Sequence, residues 1–387
     1  MTSFNLHRRL ESGYDLYVGD PVVEQGLTQQ DILEMSSLAF EGPMRYGLDR
    51  DIRRNHIVVV DEDRVIGSVY VHPRTYVGPG FEVKSYGIGA VSVHPEYQGQ
   101  GIMSAMMQTT LEMCREEGVA FMSLGGQRQR YQTFGFDNAS PHPEYVFIHR
   151  NFRGIGPIDP SRIETVKTQD VKSYDALESL FQIYQEHTRI TCRASIDEFA
   201  RSLPQWGYDI IVIRSKEGDV TGYLRVQQHQ RDDDGPQVLS IDEMNLELED
   251  VIPLFASLAS NARLEVVVRD EQVDLNHLLE TYTEGSCLRH RIKACFTNCE
   301  QCLKLALAQY PYKLPEYERE LRTVNALGEK EVFLVPAQCP GESIELTYAQ
   351  FRALFSVQTR FEVELNVQNA LGSMLPFTLP DLHADQD

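Results

Sequence analysis

The sequence predicts an α/β chain built on mixed sheets, closed by a smaller α+β unit at its C-terminal end. Three observations predict this. Residues 1–150 run helix, hairpin, strand, helix, strand. The hairpin then recurs in the second half of the chain, with VIGSVYV lying over VTGYLRV after a turn two residues longer. From about residue 290 the texture changes to short strands and helices.

TQQDILEMSSLAF (28–40) opens on Thr28, a residue type that caps helices, and places Ile32, Leu33, Met35, Leu38 and Ala39 at helical spacing. IVVVDEDRVIGSVYVH (57–72) reads as two β-branched strands around an Asp61–Arg64 turn. YGIGAVSVHP (86–95) is a further strand, ended by Pro95. From Gly101 the residues Ile102, Met103, Met106, Met107, Leu111 and Cys114 mark one helical face, and Gly118 stops that helix. VAFMSL (119–124) is a buried strand, with a short helix and a last strand running to about residue 150. The Pro/Gly-containing NFRGIGPIDP (151–160) separates this unit from the second copy. There DALESLFQIYQEHTR is helical, IIVIRSKEGDVTGYLRV is the hairpin, and LSIDEMNLELEDVIPLFASL replaces the glycine-rich stretch. In the last unit CFTNCEQCLKLALAQY and TYAQFRALF read as helices, EVFLVPA and FEVELNV as strands, and TLPDLHADQD as a tail. The expected domains are 1–150, 160–290 and 291–387.

A chain of 387 residues exceeds one ordinary core, and its 42% hydrophobic and 24% charged content is that of a globular protein. No apolar run approaches the roughly 20 residues of a membrane span, and no apolar stretch follows the basic N-terminal residues as a secretory signal would require. Seven scattered cysteines suit a reducing compartment, so the expected location is the cytoplasm. A net charge of −21 argues against nucleic acid or an anionic membrane as partner and favours a cationic small molecule or peptide.

The stretch HPEYQGQGIMS (94–104) carries the functional signal. A strand ending at Pro95 and a helix starting near Gly101 leave the helix's first amides unpaired, at the positive end of its dipole. Gly99 and Gly101 leave the backbone bare, which suits a pyrophosphate; a plain strand–helix turn is the blander reading. No G-K-S/T follows and no G-x-G-x-x-G is present, so this is neither a Walker loop nor a dinucleotide fingerprint.

Gln98-Gly99-Gln100-Gly101-Ile102-Met103 resembles the acetyl-CoA loop of the GNAT N-acetyltransferase superfamily, a Q/R-x-x-G-x-G/A run after a strand–proline. Met103 stands where Gly or Ala is usual, and a bulkier residue there is typical of the enhanced-intracellular-survival (Eis-like) branch. That branch consists of a GNAT domain, a degenerate second GNAT domain and a C-terminal sterol-carrier-like domain. The resemblance implies a GNAT-type mixed sheet over 1–150 with acetyl-CoA as co-substrate. It also implies a degenerate copy over 160–290, a sterol-carrier-like domain over 291–387, and a homo-oligomer, hexamers being typical. It implies that Val91 and Val93 offer backbone groups to the pantetheine arm, and that the amides from Gly99 to Ser104 hold the pyrophosphate. LGGQRQRYQTFGF (124–136) matches the family's Y-x-x-F-G-F/Y pattern, which implies cofactor contacts at Gly126 and Gln127 and a general acid at Tyr131.

Chemistry gives that tyrosine a task. Acetyl transfer to an amine needs a neutral nucleophile, a stabilised oxyanion and a proton for the departing thiolate. A thiol pKa of about 8.5 against a phenol pKa of about 10 makes the transfer a matter of modest tuning. In the Eis-like branch the terminal carboxylate takes the amine's proton, which implies Asp387 here, although HADQD lacks the aromatic residue usual at that end. Asp385, Asp31, Glu34 and Glu41 are other candidates for the base, and a neutral incoming amine needs none.

CFTNCEQC has the C-x3-C-x2-C spacing of radical iron–sulfur enzymes, but it lies far from the N-terminus, and spacings of four and three also place Cys295, Cys299 and Cys302 on one helix face as small core residues. No histidine pair has metal-ligand spacing, no G-x-S-x-G element is present, and RDDDG (231–235) reads as a solvated turn, so no metal site is expected. The expected activity is acetyl-CoA-dependent N-acetylation of a primary amine, on a cationic small molecule or a lysine side chain. The rival class is a non-catalytic acyl-CoA-binding protein.

Overall fold

Strands rich in Val and Ile pair into one mixed sheet that runs through most of the chain. The structure, a computed structural model, describes residues 4–40, 53–230, 237–269, 272–283, 285–309, 314–356 and 365–371, with Leu375, Phe377 and Leu379. Its first strands are β1 (Leu6–Arg9), β2 (Asp15–Val18), β3 (His56–Asp61), β4 (Arg64–Gly78), β5 (Phe81–Val93), β6 (Phe121–Leu124) and β7 (Asp137–Phe147). The second half supplies β8 (Ile163–Val166), β9 (Asp209–Arg214), β10 (Val220–Gln230), β11 (Gln237–Asn245), β12 (Arg263–Val267) and β13 (Ser286–Phe296). The order across the sheet is β1-β2-β3-β4-β5-β6-β13-β7-β12-β11-β10-β9-β8. Within this sheet, among the described residues, only β5–β6 and β11–β12 are parallel neighbours. The two parallel pairs sit in mirrored places on either side of β13 and β7.

Helices explain why IVVV is buried at every residue rather than alternately. Helix α3 (Ile102–Glu117) covers one face, where Ile57 and Val59 meet Ile102, Met106 and Met107. On the other face α1 (Asp20–Glu24) and α2 (Gln29–Ala39) cover Val58 and Val60 with Val22, Ile32 and Met35. A strand covered on both faces reads as a continuous apolar run. Thr28 caps α2 in a reciprocal box with Asp31, as its position predicts. Each fully buried methionine of α3 adds about 1.5–3 kcal/mol of burial.

The second half repeats the same order of elements. Helices α5 (Leu177–His187) and α6 (Ile196–Ser202) precede the β9–β10 hairpin. Then come β11, α7 (Leu248–Leu258), the parallel β12 and α8 (Val273–Tyr282).

The remaining chain forms α9 (Cys299–Gln309), a small sheet of β14 (Tyr317–Val324), β15 (Lys330–Ala337) and β16 (Ile344–Glu345), then α10 (Tyr348–Ala353) and α11 (Leu365–Leu371). Its apolar residues share one core with Phe121, Ala139, Ile292 and Phe296 of the large sheet. Two expectations are corrected here. FEVELNV is not a strand over its described part, because Leu365–Leu371 is helical and buries Ala370 and Leu371 in that shared core. Cys295 is not on the helix with Cys299 and Cys302: it lies in β13, one residue before the strand's end, paired with Met122 of β6, and the helix begins at Cys299. The RDDDG turn lies outside the described residues.

Candidate active site

The parallel strands β5 and β6 pair from Ser85↔Phe121 to Ile88↔Leu124 and then separate, since β6 ends at Leu124 while β5 continues to Val93. At that level β5 bulges. Ala90 and Val91 together oppose Val69 alone on β4, and Ala90 adopts a left-handed φ of 44°. A bulge leaves its extra residue out of the hydrogen-bond ladder, here beyond the point where β6 ends, and the Ala90 carbonyl accepts from Ser92 Oγ at 3.1 Å. Ala90 tolerates a backbone conformation that is costly for a residue with a Cβ, and such strain clusters at functional positions. Val91 and Val93 follow, half-buried against the α3 core.

The carboxyl end of β5 leads through Pro95 into the loop Gln98-Gly99-Gln100-Gly101. Gly99 and Gly101 have φ of 80° and 78°, and a Cβ on either would meet nothing within 4 Å. Gly101 is the N-cap of α3 and makes no side-chain cap. The first amide with a helical acceptor is that of Ala105, which donates to Gly101 O at 3.0 Å. The amides before it therefore face outward with the positive end of a 16-residue helix dipole behind them. Gln98, Gly99, Gln100, Gly101 and Ser104 are exposed, Met103 is half-buried, and Ile102 is buried. Gly67 of β4 sets the helix's height, because a Cβ there would lie 2.7 Å from Ile102 Cγ2. Tyr14 braces the loop by donating to Gln100 Oε1 at 2.8 Å, and Tyr97 is anchored by its hydroxyl donating to Asp61 Oδ2 at 2.9 Å.

The carboxyl end of β6 leads into Gly125-Gly126-Gln127 and the one-turn helix α4 (Arg128–Tyr131). Two adjacent parallel strands thus deliver both segments to the same edge of the sheet, where α/β folds place ligands. Gly126 has φ 99° and lies against the tyrosine, with its hypothetical Cβ 3.3 Å from Tyr131 Cε2. Tyr131 packs edge-on against Phe136, with ring centroids 6.2 Å apart, and shares the α3 core with Ile102 and Met106. Burial pushes its phenol above the ordinary value, against a weaker pull from Arg130. Gln127 is exposed at the N-cap of α4.

The proposed bases divide. Asp385, Asp387 and Glu41 lie outside the described residues. Asp31 and Glu34 line a cleft of about 390 Å³ together with Asp61, Glu62, Asp63 and His94. One carboxylate oxygen of Asp31 is engaged by the Thr28 amide and hydroxyl, at 2.7 Å each. Among the described residues no group of His, Cys, Asp and Glu could hold a metal ion, and no helix is long and apolar enough to cross a membrane.

The corresponding place in the second half is shut. Helix α7 follows β11 as α3 follows β5, yet its N-cap is Glu247, its first turn carries Glu249 and Asp250, and Asp250 takes a two-pronged ion pair from Arg162 at 2.8 and 2.7 Å. Carboxylates at a helix N-terminus occupy the field an anion would use.

What the sequence did not disclose is the contribution of α10. Tyr348 and Arg352 of α10 reach the turn after Tyr131, and Arg128 pairs with Asp137 beside it. These residues match no motif, and only their contacts reveal them.

Residues 28–139 match the family model described as Acetyltransferase (GNAT) domain. No curated protein matches the sequence. Among solved structures the chain is similar to a GCN5-related N-acetyltransferase from Anabaena variabilis, at 18% identity and TM-score 0.63 over 92% of this chain and 96% of that one. It is also similar to a probable N-acyltransferase from Enterococcus faecalis, at 15% and 0.62 over 96% and 97%. The Eis1 protein of Mycobacterium abscessus gives 15% and 0.61 over 95% and 97%. At these identities the likeness is one of fold. Residues 28–139 thus match a GNAT acetyltransferase domain, and the glycine loop and Tyr131 follow the carboxyl ends of two adjacent parallel strands.

Proposed function

We propose that this chain is an acetyl-CoA-dependent N-acetyltransferase that passes an acetyl group directly to a primary amine of a cationic small molecule or a lysine side chain. The observation that carries the reading is the uncapped N-terminus of α3 behind two left-handed glycines, beside the gap between β5 and β6. The groups present fit the co-substrate: open amides for a diphosphate, a broken ladder for the amide-bearing pantetheine arm, and a buried phenol on the far side.

Acetyl-CoA, when bound, would supply the thioester. The amides of Gly99 to Ser104 hold the diphosphate, with Gln98 and Gln100 at the loop's rim. Val91 and Val93 would offer backbone groups to the arm, and amides of this strand would stabilise the carbonyl oxygen, where negative charge develops. Gly126 and Gln127 border the opposite wall. The amine nitrogen bonds to the carbonyl carbon as the carbon–sulfur bond breaks, and the sulfur takes the proton of Tyr131. The amine's proton goes to a base, for which the terminal carboxylate of Asp387 is our choice. An acceptor carrying positive charge suits a chain of net charge −21 with an acidic cleft beside the end of β5. By the same reading the protein works in the cytoplasm as a homo-oligomer, a hexamer, which light scattering tests directly.

Thiol release from acetyl-CoA across an amine panel tests the assignment. Turnover on a polyamine, an aminoglycoside or a lysine peptide supports it. Tight acetyl-CoA binding without turnover on any amine would make the protein a non-catalytic acyl-CoA-binding one.

A further inference from the structure

Helix α4 is four residues long, too short to hold its own geometry, yet it carries Tyr131. The turn that follows, with Gly135 at φ 87°, must be fixed from outside. Two anchors do this. The carboxylate of Asp137 takes both prongs of Arg128, from the same helical turn as Tyr131, and lies 3.4 Å from Arg352 Nη2. The carbonyl oxygen of Gly135 accepts from the Tyr348 hydroxyl at 3.0 Å and from Arg352 Nη1 at 3.3 Å. Tyr348 and Arg352 stand one turn apart on α10, more than 200 residues further along the chain, and Arg352 lies over the Tyr348 ring at 5.0 Å. The Tyr348 hydroxyl is itself held by the Phe296 amide of β13 at 3.0 Å. Asp137 is only 7% exposed, so these bonds act in a low dielectric where they are stiff.

We propose that α10 belongs to the catalytic apparatus, with Arg352 and Tyr348 acting as positioning residues that clamp the Gly135 turn and so set the direction of the Tyr131 hydroxyl. The proposal rests on the reading of Tyr131 as the acid. A misplacement of about 1 Å at such a group can cost roughly a hundredfold in rate.

The test combines kinetics with a readout independent of turnover. Arg352→Gln and Tyr348→Phe, the second keeping its ring and its packing, each lower kcat roughly ten- to a hundredfold while leaving the acetyl-CoA Kd unchanged. Arg352→Lys, a point charge able to meet Asp137 or Gly135 but not both, recovers part of the rate. In protein carrying 3-fluorotyrosine at position 131, the fluorine resonance broadens or moves in both primary variants. Wild-type kcat with an unmoved resonance overturns the clamp. A fall in acetyl-CoA affinity matching the fall in kcat also overturns it, since α10 would then act on the whole fold. Should the wild-type protein acetylate no amine, the transferase reading fails separately, and the fluorine resonance alone decides whether α10 fixes Tyr131.

Discussion

Gly101 and Gly118 cap the two ends of α3 in nearly the same backbone conformation, φ 78° and 66°, and a Cβ at either meets nothing within 4 Å. They are a matched pair for separating folding from ligand binding. Alanine in a left-handed conformation costs about 1–2 kcal/mol, and stiffening the unfolded chain returns roughly 0.4–1 kcal/mol. Each substitution should therefore lower stability by about 1 kcal/mol, seen as equal shifts in the urea midpoint. Binding should separate them. The Gly101 methyl stands among the outward amides of the loop, whereas Gly118 lies about 24 Å away at the other end of a 16-residue helix. Gly101→Ala should weaken acetyl-CoA binding at least about tenfold, or 1.4 kcal/mol, measured by calorimetry, and Gly118→Ala should leave it unchanged. Equal binding by the two variants would refute the reasoning, because the loop would then offer its amides to nothing.

Three further predictions follow from the same site. Tyr131→Phe should lower kcat while sparing acetyl-CoA affinity; because burial raises its phenol, kcat should show no loss from this group below about pH 10, and an alkaline limb near neutrality that vanishes in the Phe variant would contradict this. Burial pushes the Asp137 carboxyl up, but the Arg128 hydrogen bond and the charges of Arg352 and Arg128 outweigh it and hold the group below its usual range. Its stabilisation is thus fully present above about pH 3.9 and is lost as pH falls through the lower folded value, so Asp137→Asn should be less stable than wild type at neutral pH and lose less on acidification, as acid-unfolding curves would show. Deleting Asp385 to Asp387 should lower kcat for amines that arrive protonated, and wild-type rates in the truncated protein would remove the terminal carboxylate from the mechanism.

The elements that build the site were legible because local signals agree there. Thr28 with helical spacing marked α2, the β-branched run marked β3 and β4, and the αL glycines bracket α3 at Gly101 and Gly118. The position of β13 between β6 and β7 was not legible, since strand order depends on contacts between segments some 150 residues apart that leave no local pattern. Cys295 shows the same limit: its spacing to Cys299 and Cys302 fits a helix, yet the pairing of β13 with β6 extends the strand through Phe296. The segment LNVQNAL carries β-formers but turns helical where it buries Ala370 and Leu371 against the C-terminal core, a case of packing overriding propensity. At the site itself, glycines and the tyrosine announce themselves by type, whereas Arg352 and Tyr348 become meaningful only once Gly135 is placed beside them.

Selective ¹⁵N-glycine labelling reads the diphosphate cradle without any assumption about turnover. Among 26 glycines, Gly99 and Gly101 should shift strongly downfield when coenzyme A is added, while Gly118 stays in place. If both loop resonances remain still as the ligand saturates, the bound diphosphate is held elsewhere and the assignment of this edge of the sheet is wrong.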